Sequence, residues 1–246
     1  LANIVKQNKL GRLLLYRKKK PSNNVRPIIT QSSPKSPMAE QYRSIRTNIQ
    51  FSSVDAEVET IAVTSSKPSE GKTTTAANMA VVFAQQGKKV LLVDADLRKP
   101  TVHYTFKLQN RFGLTNVLTN QISLQQGLQD AETEHLSILT SGPIPPNPAE
   151  LIGSNRMTAL MDSVKQQYDL IVFDTPPILA VTDAQVLSNQ CDGTILVVNS
   201  GSTEVDQAKK AKELLQGVNA KILGVVLNQA TAQQNEYYAY YGEGEA

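Results

Sequence analysis

Apolar residues gather into six short continuous runs: Thr60–Thr64, Lys89–Asp94, Leu136–Thr140, Asp169–Asp174, Thr194–Asn199 and Ile222–Asn228. Continuity rather than alternation predicts strands buried on both faces. Other segments repeat their apolar positions at helical spacing, at Met38–Ser52, Lys72–Gln86, Asn155–Gln167, Asp183–Asn189 and Glu204–Leu215. Strands alternating with helices predict an α/β fold, a mostly parallel central sheet with helices on both faces. The run Ser141–Pro148 is a proline-rich loop, and Pro21–Pro37, rich in Pro, Ser and Asn, reads as a linker. This divides the chain into an arm and linker (1–37), one α/β domain (38–228) and a polar, aromatic tail (229–246). The tail has no core period and is expected to be mobile. No internal repeat is visible.

Composition narrows the class without changing that layout. The 246 residues suit one domain with short extensions. No run approaches the ~18 apolar residues of a membrane span, and no signal peptide is visible. Cys191 is the only cysteine. Disulfides and cysteine metal sites are therefore excluded, and a reducing cytosol is the expected compartment. His103 and His135, the only histidines, argue against a histidine metal cluster.

The net charge of +3 hides an asymmetry. Residues 1 to 39 carry nine basic side chains and no acidic one, which leaves the remainder with a net of −6. A basic arm on an acidic body suits nucleic acid, anionic lipid or an acidic partner, and equally a solvated tail. Leu10 and Leu13–Leu15 beside Arg17–Lys20 tilt the reading toward a membrane surface.

The most specific chemistry lies between the first core strand and its helix. Ser66-Lys67-Pro68-Ser69-Glu70-Gly71-Lys72-Thr73 fits the phosphate-loop template G-x-x-x-x-G-K-[ST] with Ser66 in place of the first glycine. Such a loop turns backbone N–H groups toward phosphates, and Gly71 keeps a side chain out of their way. Lys72 is placed to reach the β- and γ-phosphates and the Thr73 hydroxyl to hold Mg²⁺. The helix that follows adds its positive N-terminal end.

Carboxylates end two of the strands. Val90–Val93 runs into Asp94-Ala95-Asp96, and Leu170–Phe173 runs into Asp174-Thr175-Pro176-Pro177. In parallel sheets, ligands sit beyond the carboxyl ends of the strands. Two residues apart on an extended chain, Asp94 and Asp96 should face one way. An apolar strand ending in Asp is the Walker B pattern, whose carboxylate serves Mg²⁺. Three aspartates exceed what one metal ion needs, so one is free to act as a base. The alternative for each is a cap or turn residue.

A second acidic motif on the strand after the phosphate-loop helix resembles the Walker A′ motif of MinD/ParA-like P-loop proteins. Within that branch, Val93-Asp94-Ala95-Asp96-Leu97-Arg98-Lys99-Pro100 is similar to the bacterial tyrosine kinases. So are Pro68, Glu70-Gly71-Lys72-Thr73-Thr74 and Phe173-Asp174-Thr175-Pro176-Pro177. The resemblance spans roughly residues 38 to 242. It implies an ATP–Mg²⁺-dependent protein-tyrosine kinase in which Lys72 and Thr73 hold the nucleotide and metal. Asp96 and Asp174 arrange the metal, and Asp94 is the base toward tyrosine. It further implies a role in capsule or exopolysaccharide production and tyrosine-bearing protein substrates. A membrane adaptor of the polysaccharide co-polymerase type would recruit and activate the kinase at the inner face of the membrane; no nucleic-acid partner is implied. One departure concerns Lys67. It occupies the position of the MinD/ParA signature lysine, but Pro68 and Ser69 replace the glycines that follow there. Lys67 is either a neutral surface residue or reaches a phosphate across a dimer.

The tail carries Tyr237, Tyr238, Tyr240 and Tyr241 within five residues. Exposed aromatics without a core period suit a function or a partner. The options are a sticky tail or, as the resemblance implies, a phosphoacceptor cluster. Glu40, Arg43 and Arg46 fall near one face of the first helix. They can form intrahelical pairs, or act as the Glu-x-x-Arg-x-x-Arg motif that joins subunits of this family in a ring. Asn228, ending the last strand, resembles an adenine-contacting asparagine, with a capping role as the alternative. The competing reading is a MinD/ParA-like ATPase switch without kinase activity.

Overall fold

The computed structural model describes residues 28–52 and 57–230. The basic arm to residue 27 and the tyrosine-rich tail lie outside the described residues. A short helix, α1 (Ile29–Ser32), and a longer one, α2 (Pro37–Phe51), precede β1 (Thr60–Ser65), α3 (Lys72–Ala84) and β2 (Val90–Asp94). Next come α4 (Val102–Phe106), α5 (Leu114–Leu118), α6 (Leu124–Gly127), β3 (Leu128–Asp130) and β4 (Leu136–Leu139). The chain continues through α7 (Pro148–Ile152), α8 (Asn155–Lys165), β5 (Leu170–Asp174) and α9 (Asp183–Gln190). It ends with β6 (Gly193–Asn199), α10 (Val205–Gly217) and β7 (Ile222–Asn228).

The seven strands run in the order β3-β4-β2-β5-β1-β6-β7, parallel except for β3, which is antiparallel to β4. β1, β2 and β5 are buried throughout, as continuous apolar runs require. Alternate residues feed two layers. Ile61, Val63, Leu92, Val172 and Val197 face α2 and α3. Ala62, Leu91, Val93, Ile171 and Phe173 pack with Leu114, Leu118, Met157 and Met161 on the other side. α3 is small-residue-rich (Ala76, Ala77, Ala80) and almost wholly buried, since it is sandwiched between sheet and α2.

The six expected strands all form, with boundaries shifted by a residue or so. The short β3 and helices α1 and α4–α7 add to the expected elements; at three to five residues they carry too few apolar positions for a period. The linker reading needs correction from residue 28 onward. Ile28 joins the core, and Thr30, fully buried, donates through its N–H and its Oγ1 to Asn78 Oδ1 at 3.0 and 2.9 Å. Gln85 Nε2 donates to the Thr30 carbonyl at 3.2 Å. A polar stretch thus docks on α3 through partners distant in sequence, which local composition cannot reveal. α2 starts as its sequence directs: Ser36 Oγ accepts from Ala39 N–H, and Pro37 occupies the first helical position.

One polar stitch holds the sheet at its end far from the loop. Asp192 Oδ2 accepts from Glu59 N–H (3.1 Å), Thr60 N–H (2.9 Å) and Thr60 Oγ1 (2.8 Å), and Lys165 Nζ lies 3.4 Å from Oδ1. β7 closes the sheet as an edge strand with Val225 and Leu227 exposed. Among the described residues, no helix is long and apolar enough to cross a membrane.

Candidate active site

The phosphate loop joins β1 to α3 at the carboxyl edge of the sheet. Gly71 stands at the head of α3 with φ 96°, in the left-handed region that costs glycine little. A Cβ there would lie 2.0 Å from Asn228 Nδ2. The backbone angle favours glycine here, and a Cβ would in addition have to displace the Asn228 amide. Asn228 Nδ2 donates to the Glu70 carbonyl at 2.9 Å, bracing the loop from the end of β7. Pro68 and Ser69 form the exposed tip, where Ser69 also has a positive φ, 68°. Thr74 is half-buried on the first turn of α3, its carbonyl accepting from Asn78 Nδ2.

Glu70 folds inward. Its carboxylate accepts from Ser66 Oγ (2.8 Å to each oxygen), from Lys67 N–H (2.8 Å) and from Thr203 Oγ1. Ser66 therefore does more than substitute for a glycine: its hydroxyl holds the loop's own carboxylate. Thr203, following β6, escaped the sequence reading because it lies 133 residues from Glu70 and belongs to no motif.

The three aspartates converge with Lys72. Asp94 and Asp174 are paired neighbours in the β2–β5 register, and Asp96 lies just beyond the strand end. Lys72 Nζ is 2.9 Å from Asp96 Oδ2 and 3.4 Å from Asp174 Oδ1. Thr73 Oγ1 donates to Asp174 Oδ2 at 2.6 Å and lies 3.0 Å from Thr101 Oγ1. Asp94 Oδ2 accepts from Thr101 N–H (3.1 Å) and Val102 N–H (3.0 Å), while its Oδ1 is buried without a hydrogen-bond partner. Asp94 and Asp96 are not equivalent: Asp94 turns back to the start of α4, and Asp96 caps its own turn through Lys99 N–H at 3.0 Å.

Charge and burial set the protonation. Burial and then the neighbouring Asp174 charge push Asp94 up to about 8. Burial also raises Asp174, against the opposing pull of Lys72 and Thr73. For Lys72, burial disfavours the ammonium, but Asp174 and Asp96 together outweigh it and raise its pKa. Three buried carboxylates thus surround one ammonium that touches only Asp96 and Asp174, and the excess negative charge is relieved by a proton or by another cation. Among the described residues, no group of three or more His, Cys, Asp or Glu side chains is arranged to hold a metal alone. Magnesium normally needs only one or two carboxylates, completing its shell with substrate phosphates and water.

The helix motif sits apart from this site. Arg43 Nη1 pairs with Glu40 at 2.7 Å and its Nη2 donates to the Pro34 carbonyl at 2.7 Å. Arg46 Nη1 donates to the Val82 carbonyl at 2.8 Å. Within one chain all three residues serve α2 and its packing on α3. The tyrosines at 237, 238, 240 and 241 lie outside the described residues. A cavity of about 350 Å³ lined by Lys89, His135, Leu136 and Tyr168 opens at the amino ends of β2 and β4 and includes no residue of the loop.

A phosphate loop, strand-end aspartates and a parallel sheet define a P-loop nucleotide-binding protein. Residues 58–222 match the family model described as "AAA domain". Tyrosine-protein kinase YwqD of Bacillus subtilis is 54% identical over 229 residues, 93% of this chain and 97% of that one. The putative tyrosine-protein kinase CapB of Staphylococcus aureus is 41% identical over 225 residues, 91% and 99% of the two chains. Among solved structures, the chimerical protein CapA2B2 superposes with a TM-score of 0.80 at 47% identity, covering 82% of this chain and 89% of that one. The kinase domain of Escherichia coli tyrosine kinase ETK gives 0.78 at 31%, covering 83% and 82%. The cell division ATPase MinD of Pyrococcus furiosus shares the fold at 23% identity, with a TM-score of 0.60 over 76% of this chain and 74% of that one. The chain belongs to the bacterial tyrosine kinases, protein-tyrosine kinases built on a MinD-like P-loop fold.

Proposed function

We propose that this kinase transfers the γ-phosphoryl group of ATP to Tyr237, Tyr238, Tyr240 and Tyr241, one subunit's tail serving a neighbour's site. The observation that carries the reading is Asp94: fully buried, pushed up to about 8, with Oδ1 unpartnered beside Lys72 and Asp174. A pKa near the working pH suits a general base. The excess of buried carboxylate over ammonium fits a divalent cation, which Thr73, Asp96 and Asp174 would hold. Bound there, Mg²⁺ supplies positive charge to the phosphate oxygens.

The protein's own groups account for the rest. Loop N–H groups and Lys72 orient the triphosphate, and Asn228 braces the loop near the base-binding end. The acceptor phenol loses its proton to Asp94 Oδ1 as its oxygen bonds to the γ-phosphorus. The bond from that phosphorus to the bridging oxygen breaks, and ADP leaves with the electron pair. A tethered tail raises the local concentration of phenol. Each added phosphate brings about −1.5 to −2 charges, which the acidic site repels, favouring release.

Glu40, Arg43 and Arg46 are proposed to re-pair across a homo-oligomeric ring that presents each tail to the next subunit. The capsule-related relatives and the CapA2B2 chimera support a role in capsular or exopolysaccharide synthesis. The chimera also supports pairing with a membrane adaptor, which would recruit the kinase from the cytoplasm to the inner face of the membrane. The test is incubation with Mg-ATP followed by mass spectrometry of the tail. Wild type is expected to carry phosphotyrosine and Lys72→Met none. ATP hydrolysis without tail labelling, even with an activating adaptor segment, would favour the ATPase-switch reading.

A further inference from the structure

Asp94 and Asp174 are held by the sheet ladder, but Asp96 is not. It sits on a turn past the end of β2, tethered by Lys72 and by its own bond to Lys99 N–H. A second tether starts two residues along that turn. Arg98 donates from Nε to Asp183 Oδ2 at 2.7 Å and from Nη2 to Oδ1 at 3.0 Å, a two-pronged contact. The Asp183 side chain is 1% exposed, whereas that of Arg98 is 41% exposed. Asp183 begins α9, the helix that follows the Walker B strand and its loop. The pair therefore bridges the Asp96 turn to the element downstream of Asp174. Leu97, 1% exposed, anchors the same turn in the core from the other side.

We propose that Arg98 and Asp183 are positioning residues that hold Asp96 where it serves the metal–nucleotide complex. The inference rests on the Mg²⁺–nucleotide reading above. Without the fork the turn keeps Leu97, the Lys99 N–H bond to Asp96 and the Ala95 N–H bond to the Asp174 carbonyl, but loses its charged link to α9, and Asp96 is freer to follow the Lys72 ammonium. A displacement of about 1 Å at such a site is enough to cost on the order of 100-fold in rate. Lysine does not replace the fork, because an ammonium meets only one carboxylate oxygen with directed geometry.

The test titrates Mg²⁺ against binding of a fluorescent ADP to wild type, Arg98→Ala, Arg98→Lys, Asp183→Asn and the double variant Arg98→Ala/Asp183→Asn. The Mg²⁺ concentration at half-effect should rise roughly tenfold in Arg98→Ala and Asp183→Asn, and no further in the double variant, as for one shared contact. Arg98→Lys should fall between. Binding in EDTA should stay near wild type, which general loosening of the fold does not give. Arg98→Ala alone leaves the buried Asp183 carboxylate unpaired and should melt lower, and the double variant, which removes that charge, should recover most of the loss. Folded variants with a wild-type Mg²⁺ requirement, or strictly additive single effects, overturn the clamp. If Arg98→Ala does not fold, Arg98→Lys and Asp183→Asn decide by the same criteria. A wild-type protein whose ADP binding ignores Mg²⁺ overturns the metal reading itself, and the clamp's role with it.

Discussion

Replacing Asp94 by Asn separates catalysis from stability. The amide oxygen of Asn can keep the two N–H bonds from Thr101 and Val102, so the start of α4 stays in place. The substitution removes the atom proposed to take the phenolic proton. Loss of a general base costs about 10²- to 10⁴-fold in rate, or about 3 to 5 kcal/mol in the barrier. Stability moves the opposite way. A buried acid whose folded pKa is raised supports the fold fully below its unfolded value of 3.8, and that support is lost as pH rises through about 8. The asparagine side chain carries no charge to bury, so at pH 8 the metal-free variant should be the more stable protein. A gain of about 2 kcal/mol corresponds to roughly 4–8 °C in a domain of this size. The assays are steady-state tail phosphorylation with saturating Mg-ATP and thermal melts of metal-free protein at pH 5 and pH 8. The Tm advantage of the variant should be small at pH 5 and grow toward pH 8. A variant within tenfold of wild-type kcat, or one that melts lower at pH 8, would refute the reasoning.

Gly71→Ala combines a positive φ with a Cβ 2.0 Å from Asn228 Nδ2, and should weaken ADP binding roughly 5- to 150-fold, the equivalent of strain of about 1–3 kcal/mol; calorimetric titration with ADP reads this directly, and wild-type affinity would contradict the loop geometry. Asp192→Asn tests the polar stitch. Burial alone would raise the Asp192 pKa, but the Thr60 hydrogen bonds and Lys165 hold it below the ordinary value. Its stabilisation is therefore present above the unfolded value and lost as pH falls through the folded one. Denaturant melts should find the variant about 1 kcal/mol weaker at pH 7, with the gap closing as the pH drops below about 4; a gap independent of pH counts against the assignment.

The legible parts of this protein were those whose information is local. A continuous Val/Ile/Leu run announces a buried parallel strand wherever it occurs, and the phosphate loop announces itself because strand, glycine and lysine must be adjacent to work. Asp94 and Asp174 are readable for the same reason, each closing an apolar run, and Asp96 is readable because it follows Asp94 by two residues. Their difference is not. Spacing put Asp94 and Asp96 on one face, yet one turns to α4 and the other to Lys72, because the chain leaves the strand after Asp94. Local composition does not show that the linker docks from Ile28 onward, because its partners, Asn78 and Gln85, lie on and at the end of α3.

The sequence by itself therefore determined the fold class, the phosphate loop between strand and helix and the acidic residues at the strand ends, all consequences of short-range order along the chain. Tertiary structure decided how those residues differ. Only folding brings Thr203 to Glu70, Asn228 to the loop, Arg98 to Asp183 and Asp174 beside Asp94. The protonation of Asp94 depends on that last approach and on exclusion of water, and electrostatic energy scales with distance and burial in space, to which separation along the chain is blind.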